Sequence, residues 1–341
     1  MDLLLKEKME VDMIKILELF GGIGSPRKAL INLGINHKCI DYVEIDEKAV
    51  RTYNALFENI YKPQSVVDYN LIPDILVHGS PCQDFSRAGK RLGGNNEDKT
   101  RSSLMFETLK IIENLGVWKP KFVVWENVKG VLDKDMIHSF NRYLSKMEEL
   151  GYTNSFEILN SMDFGIPQSR NRVYTVSILG TEKFNFDKLI RVETKHISEF
   201  LEDTEEEKYI VSQLSMLKKI PGCDKYTKNN YGSLKVIEDS CLTITTKQMR
   251  SPNAGIIKLE DNRYRYLTER ECWRLMGFED IDYENALRVH KGTQGRLNGT
   301  LYKQAGNSIV VQVLEAIFRE LLGGYLIGGS SEFKRQNTIK N

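Results

Sequence analysis

The sequence predicts an α/β protein built on a doubly wound, mostly parallel sheet. Two observations carry that expectation: compact apolar runs of strand length alternate with helical patterns through the first half, and a glycine-rich turn follows the first run. The runs are Met13–Leu19, Cys39–Ile45, Asp74–His78 and Phe122–Trp125. The helical patterns start at Pro26 and recur around Leu104–Leu115 and Met136–Leu150. Sheets of this kind bind ligands at the carboxyl ends of their strands, so the residues that close each run are the first candidates for function.

The 341 residues exceed one ordinary domain and predict a large domain with a smaller one. With 41% hydrophobic and 28% charged residues the chain can bury a sizeable core. A formal net charge of +1 excludes a globally basic nucleic-acid binder, so any such partner is met by local patches. The five cysteines and five histidines are scattered, with no CxxC pair, which argues against a structural zinc site or a disulfide framework and for a reducing compartment. Met1–Asp12 lacks the apolar run of a signal peptide and no stretch has membrane-span length, so a soluble, intracellular (cytoplasmic) protein is expected.

The pattern changes after about Gly180. Glu199–Glu207 is strongly acidic and reads as a solvated connector. From Lys208 to Arg265 eleven Lys/Arg face five Asp/Glu, interleaved with tyrosines at 226, 231, 264 and 266. Its weak periodicity predicts a loop-rich second domain. Helical patterns return at Thr268–Met276 and Val310–Leu322, and the glycine-rich stretch after Gly323 reads as a frayed tail.

Five segments could carry chemistry. In Leu17–Pro26, glycines at a strand-to-helix turn let a ligand approach the backbone, Ser25 is the expected N-cap, and Pro26 suits the first helical turn. Glu44 closes the next run, where an acid can take ribose hydroxyls, and Asp68 could accept from an adenine amino group. A tight turn with surface acids is the plain alternative. Gly79–Ser86 carries Cys82 just past the third run, before the polar loop Arg87–Asp98; it is either a small buried hydrophobe or a nucleophile under a lid. Glu126 follows the fourth run, as a helix-capping acid or as a partly buried carboxyl able to donate a proton. Arg170 and Arg172 alternate on an extended segment and so share a face, suited to a phosphate, a carbonyl oxygen or a carboxylate, unless they make surface salt bridges. Asn307 or Ser308, in Gln304–Ser308, could cap the helix that follows.

Taken in order, Phe-Gly-Gly-Ile-Gly, Pro-Cys-Gln-Asp-Phe-Ser, Glu-Asn-Val, Gln-Ser-Arg-Asn-Arg and Gly-Asn-Ser resemble the blocks of the DNA cytosine-5 methyltransferases. The resemblance runs from about Lys15 to Arg319, is interrupted between Gly180 and Tyr264, and includes Arg265–Cys272. It implies the sheet of S-adenosylmethionine-dependent methyltransferases with a smaller, loop-rich DNA-recognition domain. Residues 1–180 with 304–325 would form the catalytic domain, 181–303 the recognition domain with its hinge, and 326–341 a disordered tail.

By the same resemblance, Phe20, Gly22, Gly24, Glu44, Asp68, Pro81, Leu104, Asn307 and Ser308 hold S-adenosylmethionine. Cys82 is the nucleophile, Glu126 the acid facing the cytosine, and Arg170 and Arg172 the basic pair beside it. No metal is implied. The partner is double-stranded DNA, flipped at the target base, with Arg87–Asp98 as the lid and Thr245–Arg250 and Lys228–Tyr231 offering groups to base edges. Action as a monomer and a separately acting restriction endonuclease also fit the resemblance. A tRNA cytosine methyltransferase, or an idle DNA-binding module on the same fold, would share many of these blocks. The sequence departs from the family's pattern at Gly21, where alanine is usual, and at Ser25, where glycine is commoner. Both substitutes are small, so altered detail without loss of cofactor binding is expected.

Overall fold

The computed structural model describes residues 13–66, 71–79, 104–227 and 233–323. Asp68, Pro81, Cys82, the loop Arg87–Asp98, Lys228–Tyr231 and the tail 326–341 lie outside the described residues.

The first half alternates as expected: β1 (Ile14–Leu19), α1 (Ser25–Asn32), β2 (His37–Val43), α2 (Glu47–Phe57), β3 (Ile75–His78), α3 (Leu104–Asn114), β4 (Phe122–Val128) and α4 (Ile137–Glu149). β5 (Tyr152–Asn160), β6 (Gln168–Ser169) and β7 (Asn171–Leu179) follow. The main sheet has the order β2-β1-β3-β4-β7-β5. Its first four strands are parallel, whereas β7 runs antiparallel to both β4 and β5. That antiparallel insertion is absent from the sequence reading, which foresaw neither β5 nor the direction of β7.

Both faces of the sheet are covered, which explains why its strands read as continuous apolar runs. Ile16, Ile75, Val77 and Val124 face one core with α1 and α2, whereas Leu17, Leu76, Val123 and Trp125 face another with α3 and α4. β1 lies between β2 and β3, so the chain leaves it in one direction and returns on the other side. This reversal of strand order opens a crevice at the carboxyl ends of β1 and β3. The glycine turn and Gly79 follow these two strand ends.

Beyond residue 180 the elements are short: α5 (Leu214–Leu217), β8 (Cys241–Leu242), β9 (Ile256–Lys258) and β10 (Tyr264–Tyr266) precede the helices α6 (Glu269–Arg274), α7 (Asp280–Val289), α8 (Gly299–Asn307) and α9 (Val311–Leu322). Val211, Ile220, Ile256, Tyr264 and Tyr266 make a small core of their own. Ile244, Trp273, Leu301 and Ile317 instead join the core on the α1 face, with α9 packed on α1 and α7 on α2. A bidentate pair between Arg265 and Glu271, at 2.9 and 2.8 Å and almost wholly buried, ties β10 to the capping box that opens α6. No helix among the described residues is long and apolar enough to cross a membrane.

Candidate active site

A cleft at the carboxyl ends of β1 and β3 is lined by Glu18, Phe20, Gly21, Gly22, Ser25, Gly79, Glu126, Asn307 and Ser308, among others. Five of these are candidates from the sequence: Phe20, Gly22, Glu126, Asn307 and Ser308.

The turn owes its shape to left-handed residues. Phe20 (φ 55°), Gly22 (φ 55°) and Gly24 (φ 84°) all have positive φ, and a Cβ on Gly24 would stand 2.4 Å from the ring of Phe57. Gly24 is thereby the N-cap of α1, without a side-chain cap, and Ser25 is the first helical residue, next to Pro26. The expected Ser25 cap is not made: its hydroxyl turns into the cleft, 3.2 Å from that of Ser308. The expected capping of α9 by Asn307 or Ser308 is also not made. Asn307 ends α8, Ser308 is its C-cap, and Val310 is the N-cap of α9.

Glu44 lies outside the cleft lining but is bound to it. Its carboxylate accepts from the Gly22 amide at 3.1 Å and from the amides of Ile45 and Asp46 at 2.8 and 2.9 Å. A carboxylate has about four lone-pair sites, so about one is left for a ligand hydroxyl. Leu104, at the start of α3, and Phe20 are both half-buried against the α3–α4 core.

Glu18 was not singled out in the sequence, though an acid inside an apolar strand was its signal. It is fully buried, accepts from Tyr53 Oη at 2.6 Å through Oε1, and has no hydrogen-bond partner at Oε2. Burial pushes its pKa up to about 7, against the weaker opposing effects of the Tyr53 hydrogen bond and the Arg27 charge. Behind it the Cys39 thiol is driven up to about 12, chiefly by burial and then by the charge of Glu18, so it is no nucleophile near neutrality.

On the other side of the cleft, Glu126 sits within β4, two residues before its end, opposite Tyr174 of β7. Arg172 is two residues from Tyr174 and so lies diagonally on the same face, with Nε 3.1 Å from Glu126 Oε1. Both side chains are about 85% buried, with 15% and 13% exposed. A Cβ on Gly79 would lie 4.0 Å from Glu126 Oε2, so Gly79 lies beside this pair.

Arg170, like Arg172, acts electrostatically on the Tyr174 hydroxyl, but its partners differ. It donates to the carbonyls of Ile244 (3.0 Å), Gly306 (3.2 Å) and Ser308 (2.8 Å). The two arginines are therefore no side-by-side pair. One holds the acid and the other holds the backbone that carries Ser308. Of the residues proposed for base edges, Gln248 is fully buried and accepts from the Ala254 amide, whereas Thr246, Lys247 and Arg250 are exposed.

The chain matches the C-5 cytosine-specific DNA methylase family over residues 14–323. It belongs to that family. Type II methyltransferase M2.ScrFI of Lactococcus lactis subsp. cremoris is 32% identical over 372 residues, covering 91% of this chain and 99% of its own. Type II methyltransferase M.NgoBI of Neisseria gonorrhoeae is 33% identical over 316 residues, with 89% and 92% covered. Among solved structures, the S. pombe Dnmt2 methyltransferase aligns with a TM-score of 0.71 at 21% identity, over 92% of this chain and 99% of that one. At that identity the likeness speaks for the fold.

The chain is thus a DNA cytosine-5 methyltransferase, and the family's methyl donor is S-adenosylmethionine. The cleft fits such a molecule. It offers a buried carboxylate oxygen without a partner, Glu18 Oε2, to a cationic ligand, and a second acid at the β2 end to hydroxyls.

Proposed function

We propose that this enzyme methylates C5 of a cytosine flipped out of double-stranded DNA, through a covalent bond between Cys82 and C6. The observation that carries the reading is the Glu126–Arg172 pair, facing the cofactor cleft in a chain of this family.

Cytosine C5 is a weak nucleophile. Addition of the Cys82 thiolate to C6 breaks the ring's conjugation and makes C5 enamine-like. Glu126 donates to the N3 edge and stabilises the charge that addition pushes into the ring. Arg172 keeps Glu126 oriented and reaches the base O2. The bound cofactor supplies a sulfonium methyl group, which C5 takes up. A base then removes the C5 proton, the C6–S bond breaks, and the Cys82 thiolate is regenerated. A stacked base cannot be reached in this way, so the target is extruded and the loop Arg87–Asp98 closes over it.

Phe20, Gly22, Gly24, Glu44, Leu104, Asn307 and Ser308 hold the cofactor, together with Glu18 and with Asp68 and Pro81. Residues 181–303 read the DNA, with the exposed Thr246, Lys247 and Arg250 as its contacts in the Thr245–Arg250 stretch. The enzyme acts as a monomer, and a cognate endonuclease, where present, acts separately.

In DNA containing 5-fluorocytosine, fluorine stands in place of the C5 proton and cannot be removed by a base, so the covalent adduct is trapped. With cofactor present, the wild type is expected to give a band of protein bound to DNA that survives denaturing electrophoresis, and Cys82→Ala to give none. An adduct in the variant would overturn the nucleophile assignment.

A further inference from the structure

The space around Gly21 leaves no room for a side chain. Its own φ is not in the left-handed region, so the backbone there would accept a side chain. A Cβ at this position, however, would stand 2.6 Å from both Cδ2 and Cε2 of Tyr42 and 3.3 Å from Cβ of Glu18. Contacts that short are not tolerated, so either the ring or the loop would have to move.

The ring is not free to move. Tyr42 is fully buried and stacks on Tyr53 with centroids 3.8 Å apart and planes inclined by 25°. Its hydroxyl donates to the Gly22 carbonyl at 2.5 Å. Burial, then the charges of Glu44 and Glu18, raise its pKa far above the ordinary tyrosine value, so it remains a donor. Its stacking partner Tyr53 donates to Glu18. Two stacked tyrosines thus buttress the cleft from behind, one holding the loop carbonyl and the other the buried acid.

We infer that Tyr42 is a positioning residue of the cofactor site, whose ring fills the room left by the missing Cβ of Gly21 and whose hydroxyl fixes the Gly22 carbonyl. Glycine at 21 and tyrosine at 42 are then a size-matched pair. This rests on the proposal that the glycine loop holds the cofactor.

The test is a double-mutant cycle read by calorimetric binding of S-adenosylhomocysteine, with thermal melts to verify folding. In the wild-type background Gly21→Ala is expected to weaken binding by roughly tenfold or more. In the Tyr42→Ala background the same added methyl has room and is expected to change affinity less than about twofold. An equal loss in both backgrounds would overturn the pairing. Tyr42→Phe keeps the ring and removes only the donor. It is expected to raise Kd, and KM for the methyl donor, by roughly three- to tenfold with kcat retained. Unchanged affinity in this variant would overturn the positioning role, even where the alanine variants fail to fold. A folded wild type that binds no S-adenosylhomocysteine would instead refute the cofactor reading beneath it.

Discussion

The two walls of the cleft are built in opposite ways. On the glycine-loop side, the ties join residues close in sequence, apart from the Ser25–Ser308 hydroxyl contact. Glu18 meets Tyr53, Gly22 meets Glu44, Tyr42 meets Gly22, and Gln64 closes on the Tyr42 carbonyl. One β-α-β-α stretch assembles this wall. On the arginine side the ties span most of the chain. Gln168 donates to the Leu275 carbonyl and accepts from the Ile244 amide, while Arg170 reaches Ile244, Gly306 and Ser308. This wall exists only once residues from four distant segments have come together. The first wall can form early and locally. The second carries the loop-closure cost of long separations and depends on the whole fold.

Breaking each wall should therefore have different consequences. The largest effect is expected from Arg172→Ala, which removes the partner of Glu126. Turnover should fall by roughly a hundred- to thousandfold, while affinity for S-adenosylhomocysteine stays within about twofold because the arginine touches none of the cofactor loop. Single-turnover kinetics beside a binding titration would separate these, and a variant with wild-type turnover would remove Arg172 from the site. Arg170→Ala, two residues away, should act on stability instead. It leaves three carbonyls without their charged donor and is expected to cost about 3 kcal/mol in denaturant unfolding. Cofactor affinity should fall with it, because Ser308 loses its anchor.

On the local wall, Glu18→Gln tests the buried acid through pH. The folded pKa of Glu18 is raised from 4.5 to about 7. Its protonated form therefore contributes stability that is fully present below pH 4.5 and lost as pH rises through 7. Glutamine is neutral throughout. Relative to the wild type, the variant should gain up to about 3 kcal/mol between pH 4.5 and 8 in urea unfolding. A difference that does not vary with pH would contradict the assignment. The smallest effect is expected from Ser308→Ala, which removes the hydroxyl facing Ser25. About 1 kcal/mol or less of stability should be lost, with a modest rise in cofactor Kd by titration.

The same contrast explains what the sequence could reveal. The turn Phe20–Gly24 and the acid Glu44 were legible because strand, turn and helix follow one another, and their geometry is local. The Ser25 cap was misread because Gly24, left-handed at 84°, takes the capping position itself. Alternation put Arg170 and Arg172 on one face, but nothing local distinguishes their partners. Arg170 owes its carbonyls to residues 74 to 138 positions away. The pairing of Arg172 with Glu126 requires the antiparallel register of β4 with β7. An expectation of parallel strands alone does not contain that register. Within the stretch Thr245–Arg250, offered as a whole to base edges, Gln248 accepts from the Ala254 amide inside the fold.

The central claim is that this cleft places a methyl group on C5 of cytosine in DNA. The direct measurement is mass spectrometry of nucleosides from the DNA of a host expressing the chain, with bisulfite sequencing of the same DNA. The expected result is 5-methylcytosine at one recurring sequence with the wild type and none with Cys82→Ala. Unmodified DNA, or a methyl group on an exocyclic nitrogen instead of C5, would contradict it.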